Sequence, residues 1–284
     1  MPKMLSRDNC IGCNSTRIVE LSGGHFRDEP LHSFIVNDPG GAAPMAHLES
    51  ERWSFVRCAD CKLKFHRCIL SPETNEVRYS EWMNEESIRE FERLHGTNSE
   101  QGFASVQHIL RLKKLGVKRL LDFGCGFGSF IDMCSHFGLD AVGVDRSSAR
   151  RQGAGSPIYA ELDAIEGKFD AITMFEVLEH LDDPMGVLKE LKARLNPGGL
   201  LVIEVPDTSG VTGINSRTEY YKIHPLDHFN AFTPETLVAF VESAGFTPIR
   251  KDPAFVTTSP VRLAKDVAKA FLKQDKTQRY FRLR

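Results

Sequence analysis

Four of the seven cysteines stand in two Cys-x-x-Cys pairs, Cys10/Cys13 and Cys58/Cys61, separated by the 44 residues 14–57. Two such pairs can supply four thiolates to one tetrahedral zinc, each pair forming a knuckle whose backbone amides face the sulfurs. The insert is longer than the roughly 15–20 residues of compact four-cysteine sites. Gly12 and the turn Cys58-Ala59-Asp60-Cys61-Lys62 nevertheless suit tight knuckles. Structural zinc on Cys10, Cys13, Cys58 and Cys61 is the expectation, against four buried, inert thiols as the alternative. His66 and Cys68 are substitute ligands whose spacing fits less well. The odd cysteine count speaks against a disulfide framework.

A second constellation begins at Arg119–Phe123, a short apolar strand that runs into Gly124-Cys125-Gly126-Phe127-Gly128, with a helix expected over 129–137. Glycines let the backbone turn sharply and approach a ligand, and the helix start offers free N–H groups to an anion. The spacing is Asp-x-Gly-x-Gly-x-Gly, whereas a dinucleotide fingerprint wants glycine where Ser129 stands. The next strand, 141–144, ends in Asp145, placed to accept both hydroxyls of a ribose. The plainer role for Asp145 is to cap a helix starting near Ser147. Glu176, Glu179 and His180 have metal-ligand chemistry, but further ligands for a second metal cannot be picked out of the sequence, so a structural role is expected. His228 carries an imidazole whose ordinary pKa, near roughly 6.5, suits proton transfer at neutral pH. His224 is its rival, and a direct pair with the adjoining Asp227 is not assumed.

These residues need elements to position them. The first 70 residues hold the cysteine pairs, Gly/Pro punctuation at Gly23-Gly24 and Asp38-Pro39-Gly40-Gly41, and a strand-like Trp53–Arg57. Ser71-Pro72-Glu73 is a helix-start signal, and residues 72–100 carry eight Glu against three Arg, as a solvated helical face would. A helix is expected from Ser99 to Leu115, with Phe103, Val106, Ile109, Leu110 and Leu112 on its apolar stripe. From Val117 onward short apolar runs alternate with helical stretches, the pattern of an α/β domain. The last stretch, 260–284, has eight Lys/Arg against two Asp and reads as a basic amphipathic helix. It could dock on the protein body, an acidic carrier, a phosphorylated substrate or an anionic membrane surface, or be solvated. The expected organisation is a zinc-binding module at 1–70, a helical linker at 71–116, an α/β core at 117–259 and the basic helix at 260–284.

Composition narrows the class. The 284 residues carry 36 Lys/Arg and 38 Asp/Glu, a net charge of −2, and the first 100 residues hold 12 basic against 16 acidic side chains. That balance argues against a nucleic-acid partner. No apolar run reaches the roughly 18 residues of a membrane span, and the start lacks a signal-peptide hydrophobic stretch. A cytoplasmic location is expected.

The segment from about 100 to 250 resembles the class I S-adenosylmethionine-dependent methyltransferases. Asp122–Gly128 looks like their first motif, Asp145 like their ribose acid, Lys168–Leu181 like their fourth strand and following turn, and Leu195–Pro206 like their turn and fifth strand. The resemblance implies a Rossmann-like, mostly parallel seven-stranded sheet with helices on both faces, and S-adenosylmethionine as cofactor. It places the cofactor on Asp122, Gly124, Cys125, Gly126 and Gly128, its ribose on Asp145, and its adenine among Arg146, Glu161, Leu162 and Met174 or Phe175. A four-cysteine module ahead of this core is similar to the sugar C-methyltransferases and related glycan and natural-product enzymes. Residues 224–233 (His-Pro-Leu-Asp-His-Phe-Asn-Ala-Phe-Thr) also look like a segment of those families. By that likeness His228 is the general base, or the group that orients the acceptor, returning over the carboxyl ends of the strands. The expected activity is methyl transfer to a small molecule: a sugar, a glycan precursor or a natural product, free or linked to a nucleotide or carrier. An RNA methyltransferase with a zinc module and a non-catalytic cofactor-binding scaffold are the alternatives.

Overall fold

The computed structural model describes residues 4–38, 41–82, 98–151, 155–249 and 279–284. The chain folds as two compact units. The first combines residues 1–96, 176–187 and 205–240, and the second combines 97–175, 188–204 and 241–284. Residues 205–240 group with the cysteine pairs, whereas the linear partition expected from sequence places them within 117–259.

In the first unit, β1 (Met4–Ser6) pairs antiparallel with β5 (Cys68–Leu70). A second sheet takes the order β11, β4, β3, β2, all antiparallel, from β2 (Ile18–His25), β3 (Arg52–Cys58), β4 (Lys64–His66) and β11 (Asn230–Ala231). The insert between the cysteine pairs is thus mostly strand β2 and two short helices, α1 (Leu31–Val36) and α2 (Ala42–Leu48), on the way to β3. Helix α3 (Pro72–Val77) starts as expected: the Ser71 hydroxyl accepts from Thr74 N at 3.2 Å, with Pro72 at the first helical position. The core joins residues distant in sequence, including Phe26, Leu48, Phe55, Tyr220 and Phe229, all fully buried. Several of these rings lie in 205–240, so this core cannot close without the late segment.

The second unit is the α/β body. Helix α4 (Asn98–Lys114) leads to β6 (Arg119–Phe123), α5 (Ser129–His136), β7 (Asp140–Val144), α6 (Ser148–Arg151), β8 (Ile158–Tyr159), β9 (Phe169–Phe175) and β10 (Leu195–Glu204). With β12 (Phe246–Ile249) and β13 (Arg279–Leu283), these form one seven-stranded sheet ordered β12, β13, β10, β9, β6, β7, β8. Six of the strands point the same way, and β13 alone runs antiparallel, between β10 and β12. The parallel strands are nearly continuous apolar runs, as burial on two faces requires. Ile109 and Leu112 of α4 pack fully buried against Leu120 and Ile131, whereas Leu110 faces solvent. Strand order reverses between β6 and β9, and the glycine loop leaves β6 at that switch point, where open α/β sheets bind ligands. Three further α-helices are α7 (Pro184–Ala193), α8 (Arg217–Lys222) and α9 (Pro234–Ser243).

The end of the chain corrects an expectation. Residues 279–283 form β13, paired between β10 and β12 with Tyr280 and Phe281 buried, rather than the end of a basic helix. The rest of the expected helix, 260–278, lies outside the described residues, as does most of the charged run before Asn98.

Candidate cofactor and metal sites

In the second unit the chain builds a concave turn at the end of β6. Gly124, Gly126 and Gly128 have φ of +77°, +57° and +83°, a region that L side chains rarely adopt. A Cβ on Gly126 would meet nothing within 4 Å, so this peptide faces open space. Asp145 ends β7 and is only 7% exposed. One carboxylate oxygen accepts from Gly126 N and the other from Ser147 N, both at 2.9 Å, so the acid holds the glycine turn and caps the next one. Each oxygen keeps a further lone pair for an outside donor. Arg150 approaches the carboxylate at 3.8 Å. Asp122, at the end of β6, is buried and accepts from the Thr173 hydroxyl at 2.6 Å. Burial pushes its carboxyl up to about 7, with the charge of Asp145 adding and the Thr173 bond opposing. Cys125 packs its sulfur where Gly143 of β7 has no side chain, which lets loop and strand close together.

The outer residues divide. Arg146 and Glu161 are both exposed and form a loose 4.0 Å ion pair. Leu162 is buried at 5%. Phe175 is half-buried, edge-on to Phe130 at 5.1 Å and against His108 at 4.8 Å. Met174 is fully buried in β9 and therefore core. A dihydroxyl ligand with a cationic tail fits this set: an acid poised at the strand tip, a glycine turn open over Gly126, and a second carboxyl below. Thr173, which orients Asp122, was not singled out, because a threonine inside a β-rich run carries no distinguishing signal.

In the first unit the four expected sulfurs converge. The Sγ atoms of Cys10, Cys13, Cys58 and Cys61 all lie within 4.8 Å of one another, with Cys10–Cys61 at 3.4 Å and Cys13–Cys58 at 3.5 Å. A tetrahedron with zinc–sulfur bonds near 2.3 Å has edges of about 3.8 Å. The two knuckles share one geometry. Gly12 N and Asp60 N each donate to the first sulfur of their pair at 3.4 Å, and Asn14 and Lys62 each follow the second cysteine with φ near +60°. Two non-glycine residues in the left-handed region carry a backbone cost, and both sit where a knuckle demands that turn. The set could hold one metal ion with no position left open. Burial pushes the Cys10 and Cys61 thiols up. His66 is not a ligand: it is fully buried, with Nε2 2.7 Å from the Ile223 carbonyl.

The third cluster, also in the first unit, surrounds His228. Its ring stands edge-on to His180 at 4.7 Å. Its Nδ1 is buried and has no hydrogen-bond partner. Burial first, then the His180 charge, drives the His228 imidazole down to about 3. Asp227 is bonded to other partners. It accepts from Arg78 at 2.7 Å and from His180 Nδ1 at 2.8 Å. Those cations hold Asp227 well below the usual carboxylate range against the effect of burial, and Asp227 lifts His180 to about 9. Glu179 is 1% exposed, with Oε1 3.8 Å from His180 Nε2. Burial first, then Glu176, pushes its carboxyl well above the ordinary value. Rival His224 has both ring nitrogens engaged, Nδ1 by Leu226 N at 3.1 Å and Nε2 by the Tyr220 hydroxyl at 2.7 Å.

A seven-stranded, mostly parallel sheet with an acid-clasped glycine turn at its switch point defines a class I S-adenosylmethionine-dependent methyltransferase. Residues 79–251 match the family described as a methyltransferase domain, and the chain belongs to that family. Among curated proteins it is similar to a ubiquinone biosynthesis O-methyltransferase of Bordetella avium (strain 197N), 28% identical over 59% of this chain and 76% of that protein. Another of the same description, from Cereibacter sphaeroides (strain ATCC 17025 / ATH 2.4.3), is 28% identical over 46% of this chain and 61% of its own length. A solved sugar N-methyltransferase from Streptoalloteichus sp ATCC 53650 aligns at 18% identity over 69% of this chain and 92% of that one, with a TM-score of 0.45. No described helix is long and apolar enough to cross a membrane.

Proposed function

We propose that this enzyme transfers the methyl group of S-adenosylmethionine to a hydroxyl oxygen of a small acceptor, free or carried on a nucleotide or carrier. The observation that carries the reading is the clasp of Asp145 on Gly126 above a turn whose central peptide faces open space. Similarity to proteins named as O-methyltransferases supports oxygen as the acceptor atom. Bound there, the cofactor supplies an electrophilic sulfonium methyl. The residues proposed to hold it are Asp122, Gly124, Cys125, Gly126 and Gly128 along the turn, Asp145 at the ribose, and Arg146, Glu161, Leu162 and Phe175 around the adenine. Leu162 contributes backbone, since its side chain is buried. The chain's own work is to orient the acceptor and exclude water, so that a bimolecular displacement becomes an intramolecular one.

Cys10, Cys13, Cys58 and Cys61 are assigned a structural zinc, supported by their matched knuckles and converging sulfurs. It would tie the start of the chain to β3. Reduced thiols of this kind fit a cytoplasmic enzyme. On the acceptor side His228 keeps its orienting role. An imidazole held near 3 by burial is a weak base at neutral pH, so its work is to orient the acceptor. The test is turnover with methyl-labelled S-adenosylmethionine over phenols, sugar nucleotides, amines and RNA. Label recovered as an acid-stable ether on a hydroxylated small molecule is the expected result, and label appearing only in RNA or only on amines overturns the reading.

A further inference from the structure

Alternation along β10 puts Leu200, Val202 and Glu204 on one face of the α/β sheet. The first two lie in the apolar cluster under α4 with Ile109, Leu112 and Tyr280, and Phe175 packs against it. Glu204 comes next on that face as the last residue of β10, in register with Phe175 at the end of β9. It therefore stands at the carboxyl end of the sheet, near the switch point, where open α/β sheets bind ligands. Burying polar groups on such a face is costly unless each finds a partner, yet three more side chains lead inward from Glu204.

His108 of α4 is buried, and its Nδ1 lies 2.5 Å from the Tyr280 hydroxyl. Arg111, a turn further along α4 and also buried, lies over the Tyr280 ring at 5.0 Å from its centroid and bonds the hydroxyl. A guanidinium only donates, so the hydroxyl accepts from Arg111 and gives its own proton to His108 Nδ1. Burial pushes the Tyr280 hydroxyl up, with Glu204 adding and Arg111 opposing, so it stays a neutral donor. His108 then carries its proton on Nε2, which faces Glu204 Oε2 across 3.7 Å. Of these four side chains only Glu204 reaches solvent, with 38% of its side chain exposed. The His108 ring also packs on Phe175 at 4.8 Å, and Phe175 stands edge-on to Phe130 of α5, the helix after the glycine turn. Through Phe175 the row adjoins the wall proposed for the cofactor.

We propose that Glu204 is the general base that takes the acceptor's hydroxyl proton, and that His108, fixed by Tyr280 and Arg111, is the residue that positions it. This rests on the reading of the protein as a methyltransferase acting on a hydroxyl. As the acceptor oxygen attacks the sulfonium methyl, the O–C bond forms and the C–S bond breaks, leaving its electron pair on sulfur. The acceptor O–H bond breaks in the same step, and its proton passes to the Glu204 carboxylate. The exposed side of Glu204 then returns that proton to solvent. The His108 N–H draws the carboxylate inward on one side, which sets the angle at which it meets an acceptor. The role is not filled elsewhere in the account, since His228 orients the acceptor and does not take its proton.

The test measures transfer of labelled methyl from S-adenosylmethionine by the full chain, with catechol and UDP-glucose as the hydroxyl probes. Glu204→Gln and Glu204→Ala should each lower kcat by about 10²–10⁴-fold, with S-adenosylhomocysteine affinity unchanged. Added formate, a small carboxylate, should restore part of the turnover of Glu204→Ala and none in Glu204→Gln, where the amide fills the space. His108→Phe keeps a ring against Phe175 but offers no N–H, and should lower kcat by a smaller factor. His108→Gln, which can present an N–H to Glu204, should recover part of that loss. A residue that only ties α4 to β13 would lower the melting temperature of both His108 variants and leave kcat alike in the two. If Glu204→Ala does not fold, the isosteric Glu204→Gln decides. Wild-type kcat in folded Glu204→Gln overturns the base, and equal kcat in the two His108 variants overturns the positioning role. Wild type that labels neither probe overturns the hydroxyl reading and the base together, whereas active wild type with active Glu204→Gln overturns the base alone.

Discussion

Asp145 works through two oxygens that already hold the protein together before any ligand arrives: one grips Gly126 N and the other Ser147 N. Its replacement by alanine therefore removes both a ligand contact and the clasp that shapes the turn. Loss of charge-assisted hydrogen bonds of this sort costs about 1.5–3 kcal/mol, so Asp145→Ala should weaken S-adenosylhomocysteine by about 10–150-fold in calorimetry. Unchanged affinity would mean that the acid serves only the fold. Asp122 makes a different, pH-dependent contribution. Its folded-state pKa, about 7, lies above the unfolded value of 3.8. The folded chain therefore keeps a proton between those values that the unfolded chain releases. This group's contribution is most favourable below pH 3.8, declines as pH rises to about 7, and is flat above. Asp122→Asn keeps an acceptor for Thr173 and should remove that decline, worth up to about 4 kcal/mol at an upper limit of 1.36 per pKa unit. Denaturant midpoints of both proteins from pH 4 to 8 check it, and parallel curves contradict it.

At the scale of elements, Gly143 in β7 leaves the space that the Cys125 sulfur and the Ile131 side chain occupy. Gly143→Ala must push loop, helix α5 and strand apart, and overpacking of this kind costs about 1–3 kcal/mol. A lower melting temperature together with weaker cofactor binding is expected, and a variant as stable as wild type would show that the loop yields freely. Cys58→Ser should lower the zinc content of protein purified without added metal from about one equivalent to near zero, since three thiolates no longer close the shell. Retention of zinc in that variant would sink the four-thiolate assignment. The elements easiest to read in the sequence were those whose cause is local. The Ser71 cap, the glycine turn after β6, and helices α4 and α5 each follow from a short stretch of residues. What was missed is non-local. Strand β13 gains its identity from β10 and β12, its partners from elsewhere in the chain, while its basic residues resemble the helical run before it. The Glu179, His180 and His228 cluster was incomplete on paper because its third member comes from another segment, brought close by Asn230, whose side chain bonds the Leu178 and Leu181 carbonyls.

Across the whole molecule, chain order and spatial grouping disagree. The segment 205–240 follows the fifth strand of the α/β sheet in sequence, yet it completes the core and the second sheet of the cysteine-bearing unit. The amino-terminal module is therefore no detachable appendage: its thiolates, its sheet and the histidine cluster lie in one compact unit. A balanced charge of −2 fits a small-molecule acceptor better than a polyanion. Methyl transfer requires the cofactor above all. The direct test is calorimetric titration of the folded full chain with S-adenosylhomocysteine, with a nicotinamide dinucleotide as control. One S-adenosylhomocysteine per chain with micromolar or tighter affinity and no heat from the dinucleotide is the expected result, since Ser129 stands where the dinucleotide turn needs glycine. Saturable binding of the dinucleotide, with none of S-adenosylhomocysteine, would contradict it.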